Sequence, residues 1–176
     1  MPTHQTEHQA LEISKQTARR FLLLRQGLWP PRRLQGKTGV SEFIRNAGSI
    51  QFDPINIAGR NPDLVLQSRV ADYRPEMLDE LLYQDRELLD GWDKMASIYL
   101  ADDWPHFAFR RQALLKNPDP RRPTQDVLEH VLAEIRQRGP LSSLDFEAAA
   151  QVDWYWGPTK AVRAALEHLY NQYHLG

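Results

Sequence analysis

Seven residues, Asn117-Pro118-Asp119-Pro120-Arg121-Arg122-Pro123, carry three prolines and set the terms for the rest of the chain. Proline fixes φ, lacks an amide donor and pushes the preceding residue out of the helical region, so no regular element runs through such a stretch. The pattern predicts a linker over 117–123 between two units, 12–116 and 124–176, with 1–11 as a flexible polar tail. A chain of 176 residues can fill two small cores, and 41% hydrophobic with 26% charged residues is ordinary for a globular protein. No apolar run approaches the ~20 residues that span a bilayer, so no membrane partner is expected. The polar N-terminus carries no apolar signal core, and a cytoplasmic protein, associated with the nucleoid, is the expectation. There is no cysteine, and the six histidines show no ligand spacing within an ordered element, so neither metal nor cofactor is expected.

Hydrophobic spacing places helices in both units. Ser14 can cap a helix to Gln26, stopped by Gly27, with Ala18, Phe21, Leu22 and either Leu24 or Leu28 as its apolar stripe. Residues 27–39, with Trp29-Pro30-Pro31, read as a loop, and Val40, Phe43, Ile44 and Ala47 form a short helix ended by Gly48. The stretch 49–57 favours extended structure. Asn61 as N-cap with Pro62 opens a helix to about Ala71, and Pro75 opens another to about Asp85 with Met77, Leu78, Leu81 and Leu82 inward. Two apolar runs around Gly91 to Lys94 form a hairpin. Helices followed by a hairpin is the order of a winged helix-turn-helix. Beyond the linker, Thr124 caps a helix to Arg138, a short helix follows at 145–150, and a last one runs from Thr159 to Gln172. The expected fold is mainly α with a short β-hairpin: a tandem winged helix-turn-helix whose second unit lacks its wing, as in a truncated chain.

A net charge of −1 hides strong segregation. Residues 13–41 hold seven bases, Arg32, Arg33 and Lys37 among them, and no acid; residues 72–103 hold ten acids against three bases. Such segregation suits a polyanion partner, although charge runs also serve as solvated helix faces.

The residues most suggestive of chemistry are Gln51 and Asp53. On a strand they face one way, their Cα atoms about 6.7 Å apart, while Ile50 and Phe52 anchor the other face. An amide and a carboxylate so placed can hold one water, the amide orienting it and the carboxylate polarising it. On spacing alone the same residues fit an Asp-Pro turn whose carboxylate caps a neighbouring amide, with Gln51 merely exposed.

The wider text is more specific. Ser49-Ile-Gln-Phe-Asp-Pro-Ile-Asn-Ile57, Arg60-Asn-Pro-Asp-Leu-Val-Leu-Gln-Ser-Arg69 with Tyr73, and Leu88-Leu-Asp-Gly-Trp-Asp-Lys-Met-Ala-Ser-Ile-Tyr99 together resemble the YcaQ-like family of winged-helix DNA glycosylases. The resemblance runs over about 12–172 and is densest over 49–105. It implies excision of N7-alkylated guanine from double-stranded DNA and unhooking of interstrand crosslinks by a monofunctional glycosylase, expected as a monomer. It implies catalytic roles for Gln51 and Asp53, matching the family's glutamine, apolar residue, aspartate signature. Family members are longer, with a third winged helix and a β-rich C-terminal region.

Arg60, Asn61, Gln67 and Arg69 flank this segment and can contact DNA, as can Lys160 and Arg163 early in the last helix. Asn61 equally serves as a helix cap, and Arg69 can pair with the acidic helix. The tryptophans at 29, 92, 104, 154 and 156 can stack on bases, with core packing the expectation for Trp92 and Trp104. Two other readings stand beside the enzyme: a non-enzymatic winged-helix regulator, and an inactive truncated glycosylase. The regulator reading lacks a dimerisation helix in the sequence.

Overall fold

The structure, a computed structural model, describes residues 10–29, 31–53, 55–116, 123–147, 150–155 and 157–175. The first nine residues of the expected tail, Pro30, Pro54, Trp156 and the linker up to Arg122 lie outside the described residues.

Helix α1 (Lys15–Arg25) begins where the Ser14 hydroxyl accepts the Thr17 amide at 3.0 Å, and it stops before Gly27, whose φ of +66° favours glycine. Its apolar stripe stays in solvent: Phe21, Leu22 and Leu24 are each more than half exposed. Its C-terminal end is tied down by Arg25, donating to the Asn46 carbonyl at 2.8 Å, and by Arg69, donating to the Gln26 carbonyl at 3.0 Å.

Helix α2 (Gly36–Ala47) starts four residues before the expected Val40 because distant groups hold its first turn. The Gly36 amide donates to the Asp72 carboxylate at 2.7 Å, and Lys37 reaches Glu80 and Asp85. Strand β1 (Ile50–Gln51) is far shorter than the expected 49–57. Ile55 and Ile57 are 64% and 93% exposed, with no core to hold them in a strand. Helix α3 (Asn61–Gln67) is capped by Arg60 rather than Asn61. It ends before Ala71 because Val70 leaves to form a parallel bridge with Leu34. Helix α4 (Pro75–Tyr83) has proline in its first turn and buries Met77, Leu78, Leu81 and Leu82, each burial contributing about 1.5–3 kcal/mol.

Strands β2 (Leu88–Trp92) and β3 (Ala96–Leu100) form the hairpin, with Gly91 inside β2 rather than in the turn. The sheet has the order β1-β3-β2, antiparallel throughout. Val40, Phe43, Ile44, Ile50, Leu66, Leu78, Leu88 and Ile98 belong to one core beneath it. A 3-10 segment (Ala101–Phe107) leads into α5 (Ala108–Lys116).

A second core gathers Leu128, Val131, Phe146, Val162, Ala165 and Leu169. It is built on α6 (Gln125–Arg138) and α7 (Ala161–Asn171). The short helix expected at 145–150 does not form among the described residues. The Asp145 carboxylate instead accepts the Ser142 amide and hydroxyl at 2.7 and 2.8 Å, closing a turn. Strands β4 (Gln151–Val152) and β5 (Thr159–Lys160) then pair, so a small ladder precedes α7 where three helices in series were expected.

The two cores meet at the hairpin. Trp92 Nε1 donates to Asn171 Oδ1 at 2.6 Å, and the Tyr173 hydroxyl donates to the Trp92 carbonyl at 2.5 Å. Trp92 is therefore a 40% exposed junction residue, not the core residue expected. Trp104 is half-buried, with the Arg111 guanidinium 4.4 Å above its ring. No helix among the described residues is long and apolar enough to cross a membrane.

Candidate active site

Strand β1 is only two residues long, yet the chain is anchored on both sides of Gln51. Ile50 is buried opposite Ile98, and the Phe52 amide donates to the Ala96 carbonyl at 2.8 Å while its ring packs on the core. Gln51, opposite Ser97, is exposed, as alternation along a strand requires. The Ser49 hydroxyl donates to Asp93 at 3.3 Å and fastens the start of the strand to the hairpin turn.

Asp53 is half-buried, and its Oδ1 accepts the Ile55 amide at 2.9 Å. This is the capping turn that the spacing allows, and it fixes the direction of the carboxylate while engaging one of its two oxygens. An exposed amide and an oriented carboxylate thus lie two residues apart where the strand ends.

Arg60, at the start of α3, is held by carboxylates. Its Nε lies 2.6 Å from Asp63 Oδ2 and its Nη1 3.1 Å from Asp79 Oδ1. Tyr73 also donates to Asp63 at 2.5 Å. The Asp63 hydrogen bond raises the Arg60 pKa, and burial followed by the same carboxylate pushes the Tyr73 phenol well above its ordinary range. Asp63 and Asp79 were not singled out in the sequence. The i,i+3 spacing of Arg60 and Asp63 is a local signal for that pair, but Asp79 comes from α4 and has none.

Arg69 turns inward, donating to the Gln26 and Val65 carbonyls at 3.0 and 2.9 Å over the Phe43 ring, and burial lowers its pKa. It pairs with carbonyls, not with the acidic helix. Arg32 donates to the Gln67 carbonyl at 2.9 Å, and Lys37 is bridged to Glu80 and Asp85. Asn61 is half-buried in the first turn of α3, while Gln67 and Arg33 are exposed. Lys160 and Arg163 are exposed at the start of α7, which meets the sheet at β2, the edge away from β1. The structure therefore brings Gln51, Asp53 and the hairpin turn together, and it engages Arg32, Lys37, Arg60 and Arg69 with other groups of the protein while Arg33, Lys160 and Arg163 stay exposed.

No solved structure matches the chain. A family model described as DNA glycosylase AlkZ-like matches residues 44–175, which include β1, the Asp53 turn, the hairpin and the whole second core. Arg32, Arg33 and Lys37 precede the match. With three quarters of its length covered by that one model, the chain belongs to the AlkZ-like DNA glycosylase family.

Proposed function

We propose that the chain hydrolyses the N-glycosidic bond of N7-alkylated guanine in double-stranded DNA, and that it acts as a monofunctional glycosylase on crosslinks made through the same nitrogen. The observation that carries this reading is the pairing of exposed Gln51 with a carboxylate held in direction by the Ile55 amide, inside the family match. Alkylation at N7 makes guanine cationic, so the base departs without a general acid. The C1′–N9 bond breaks with its electron pair going to the purine, and a water oxygen bonds C1′. Asp53 supplies negative charge beside the oxocarbenium-like sugar and takes up the water's proton, while Gln51 orients that water.

The order α2, β1, α3, α4, β2, β3 with the sheet order β1-β3-β2 supports reading residues 12–116 as a winged helix-turn-helix, with the hairpin as its wing. Residues 124–176 are the companion unit across the linker. Exposed Arg33, Lys160 and Arg163 take DNA phosphates together with Arg32. Arg60, Asn61, Gln67 and Arg69 shape the loops that flank the lesion, since Arg60 and Arg69 already spend their donors on the protein.

The test is release of free N7-methylguanine from a methylated duplex, with the DNA strand staying intact until the abasic site is cleaved by alkali. Gln51→Ala is expected to slow release by about tenfold or more, the loss of one positioned hydrogen bond. Strand cleavage without alkali, or no base release by the unaltered protein, would overturn the proposal.

A further inference from the structure

A feature that the catalytic reading does not use lies at the other edge of the sheet. A cleft of about 510 Å³ opens between the hairpin turn and the second unit, lined by Trp92, Trp154, Tyr155 and Tyr173 together with Lys94 and Arg110. Two of its aromatic side chains face solvent, Trp92 at 40% and Tyr155 at 41% exposed, while Trp154 is half-buried and Tyr173 is buried.

Both indoles are held by their ring N–H groups. Trp92 donates to Asn171, and Trp154 donates to Glu167 Oε2 at 2.8 Å, with Tyr155 edge-on to it at 5.1 Å. Rings fixed at the rim can accept a flat partner without first losing rotamer freedom. Arg110 lines the cleft beside Tyr173, and its Nε is buried without an acceptor among the described residues. Lys94 is exposed at the tip of the turn. The carboxylate that joins the lining, Asp93, accepts from the Ser49 hydroxyl.

Aromatic faces beside two cations describe a ligand that is planar at one end and anionic at the other. We infer that the cleft binds one nucleotide, its base stacked against Trp154 and Trp92 and its phosphate held by Lys94 and Arg110. The nucleotide is either an unpaired residue of a DNA strand or a free nucleoside monophosphate. This site is distinct from Gln51 and Asp53: β1 and β2 lie on opposite sides of β3, and no residue of β1 lines the cleft.

The test is quenching of the intrinsic tryptophan fluorescence of the full chain by adenosine monophosphate, by inorganic phosphate and by a short oligothymidylate. Saturable quenching by the nucleotide but not by phosphate is expected. Lys94→Gln and Arg110→Gln should each weaken it about tenfold, the value of one charge-assisted contact, and Trp154→Leu should weaken it further. Lys94 is exposed in a turn, so its replacement reads binding without a folding defect. Oligothymidylate binding at least about tenfold tighter than the monophosphate identifies a DNA strand as the source, and equal affinity identifies the free nucleotide. Asp53→Asn should leave all these affinities unchanged, so failure of the catalytic reading does not touch this one. No saturable quenching by either nucleotide probe, or quenching insensitive to both Lys94→Gln and Arg110→Gln, would overturn it.

Discussion

Replacing Gly91 by alanine would place a Cβ 2.5 Å from the Tyr99 hydroxyl and 3.2 and 3.3 Å from two of its ring carbons. Tyr99 has no solvent-accessible surface, and the Phe107 ring lies 4.5 Å from its own, so it cannot step aside freely. Overpacking of this kind costs about 1–3 kcal/mol, offset by about 0.5–1 kcal/mol gained when a glycine leaves a strand. The net loss centres on about 1 kcal/mol, which for a chain of this length lowers Tm by about 2–4 °C. Tyr99→Phe removes the closest atom of the clash. Its hydroxyl is buried without a partner among the described residues, so that change alone should cost little. The double variant should therefore be more stable than Gly91→Ala by about 1 kcal/mol, a coupling that urea and thermal melts of all four proteins measure directly. Gly91 pairs with Ser97, which pairs with Gln51, so base release should slow in the single variant and recover in the double. A Gly91→Ala protein as stable as the original, or a double variant no better than the single, would refute the reasoning.

Burial raises the pKa of Tyr73 and Tyr170, and pushes Tyr99 up to about 12. These phenols hold their protons more tightly in the folded state, so stability should be level below the ordinary tyrosine pKa of about 10 and fall as pH climbs beyond it. Urea melts at rising alkaline pH check this, and a flat profile would contradict it. Combining Trp92→Phe with Tyr173→Phe removes two hydrogen bonds that join the hairpin to α7 and the turn after it; a loss of about 1–2 kcal/mol and faster amide exchange in β2 are expected. Leu22→Ser on exposed α1 should change stability by no more than about 0.5 kcal/mol, whereas Leu78→Ala in the core should cost about 2–5 kcal/mol by chemical denaturation.

Elements fixed by local rules were legible in the sequence. Ser14 capping α1, proline opening α4, the span of α6 from Thr124 to Arg138 and the hairpin all follow from residues within a turn or two of one another. Elements decided by distant partners were not. Asp72, Glu80 and Asp85 extend α2 backwards from more than thirty residues away, and the Leu34 bridge with Val70 cuts α3 short. Asp145 closes a turn where helical spacing suggested a third helix. The same division holds at the site. Alternation around Ile50, Gln51 and Phe52 is a property of three neighbours, but the fate of Arg60 depends on Asp79 in another helix, and that of Arg69 on the carbonyl of Gln26. Trp92 looks like a core residue by type and becomes a junction because α7 returns to meet it.

Asp53→Asn isolates the charge on which the catalytic account depends. Asparagine retains a side-chain oxygen to accept the Ile55 amide, so the turn survives while the negative charge is lost. The decisive measurement is the single-turnover rate of N7-methylguanine release from duplex DNA by the two proteins. The account predicts a fall of about 10²–10³-fold with the fold and DNA affinity unchanged. Release by Asp53→Asn at the rate of the unaltered protein would contradict it.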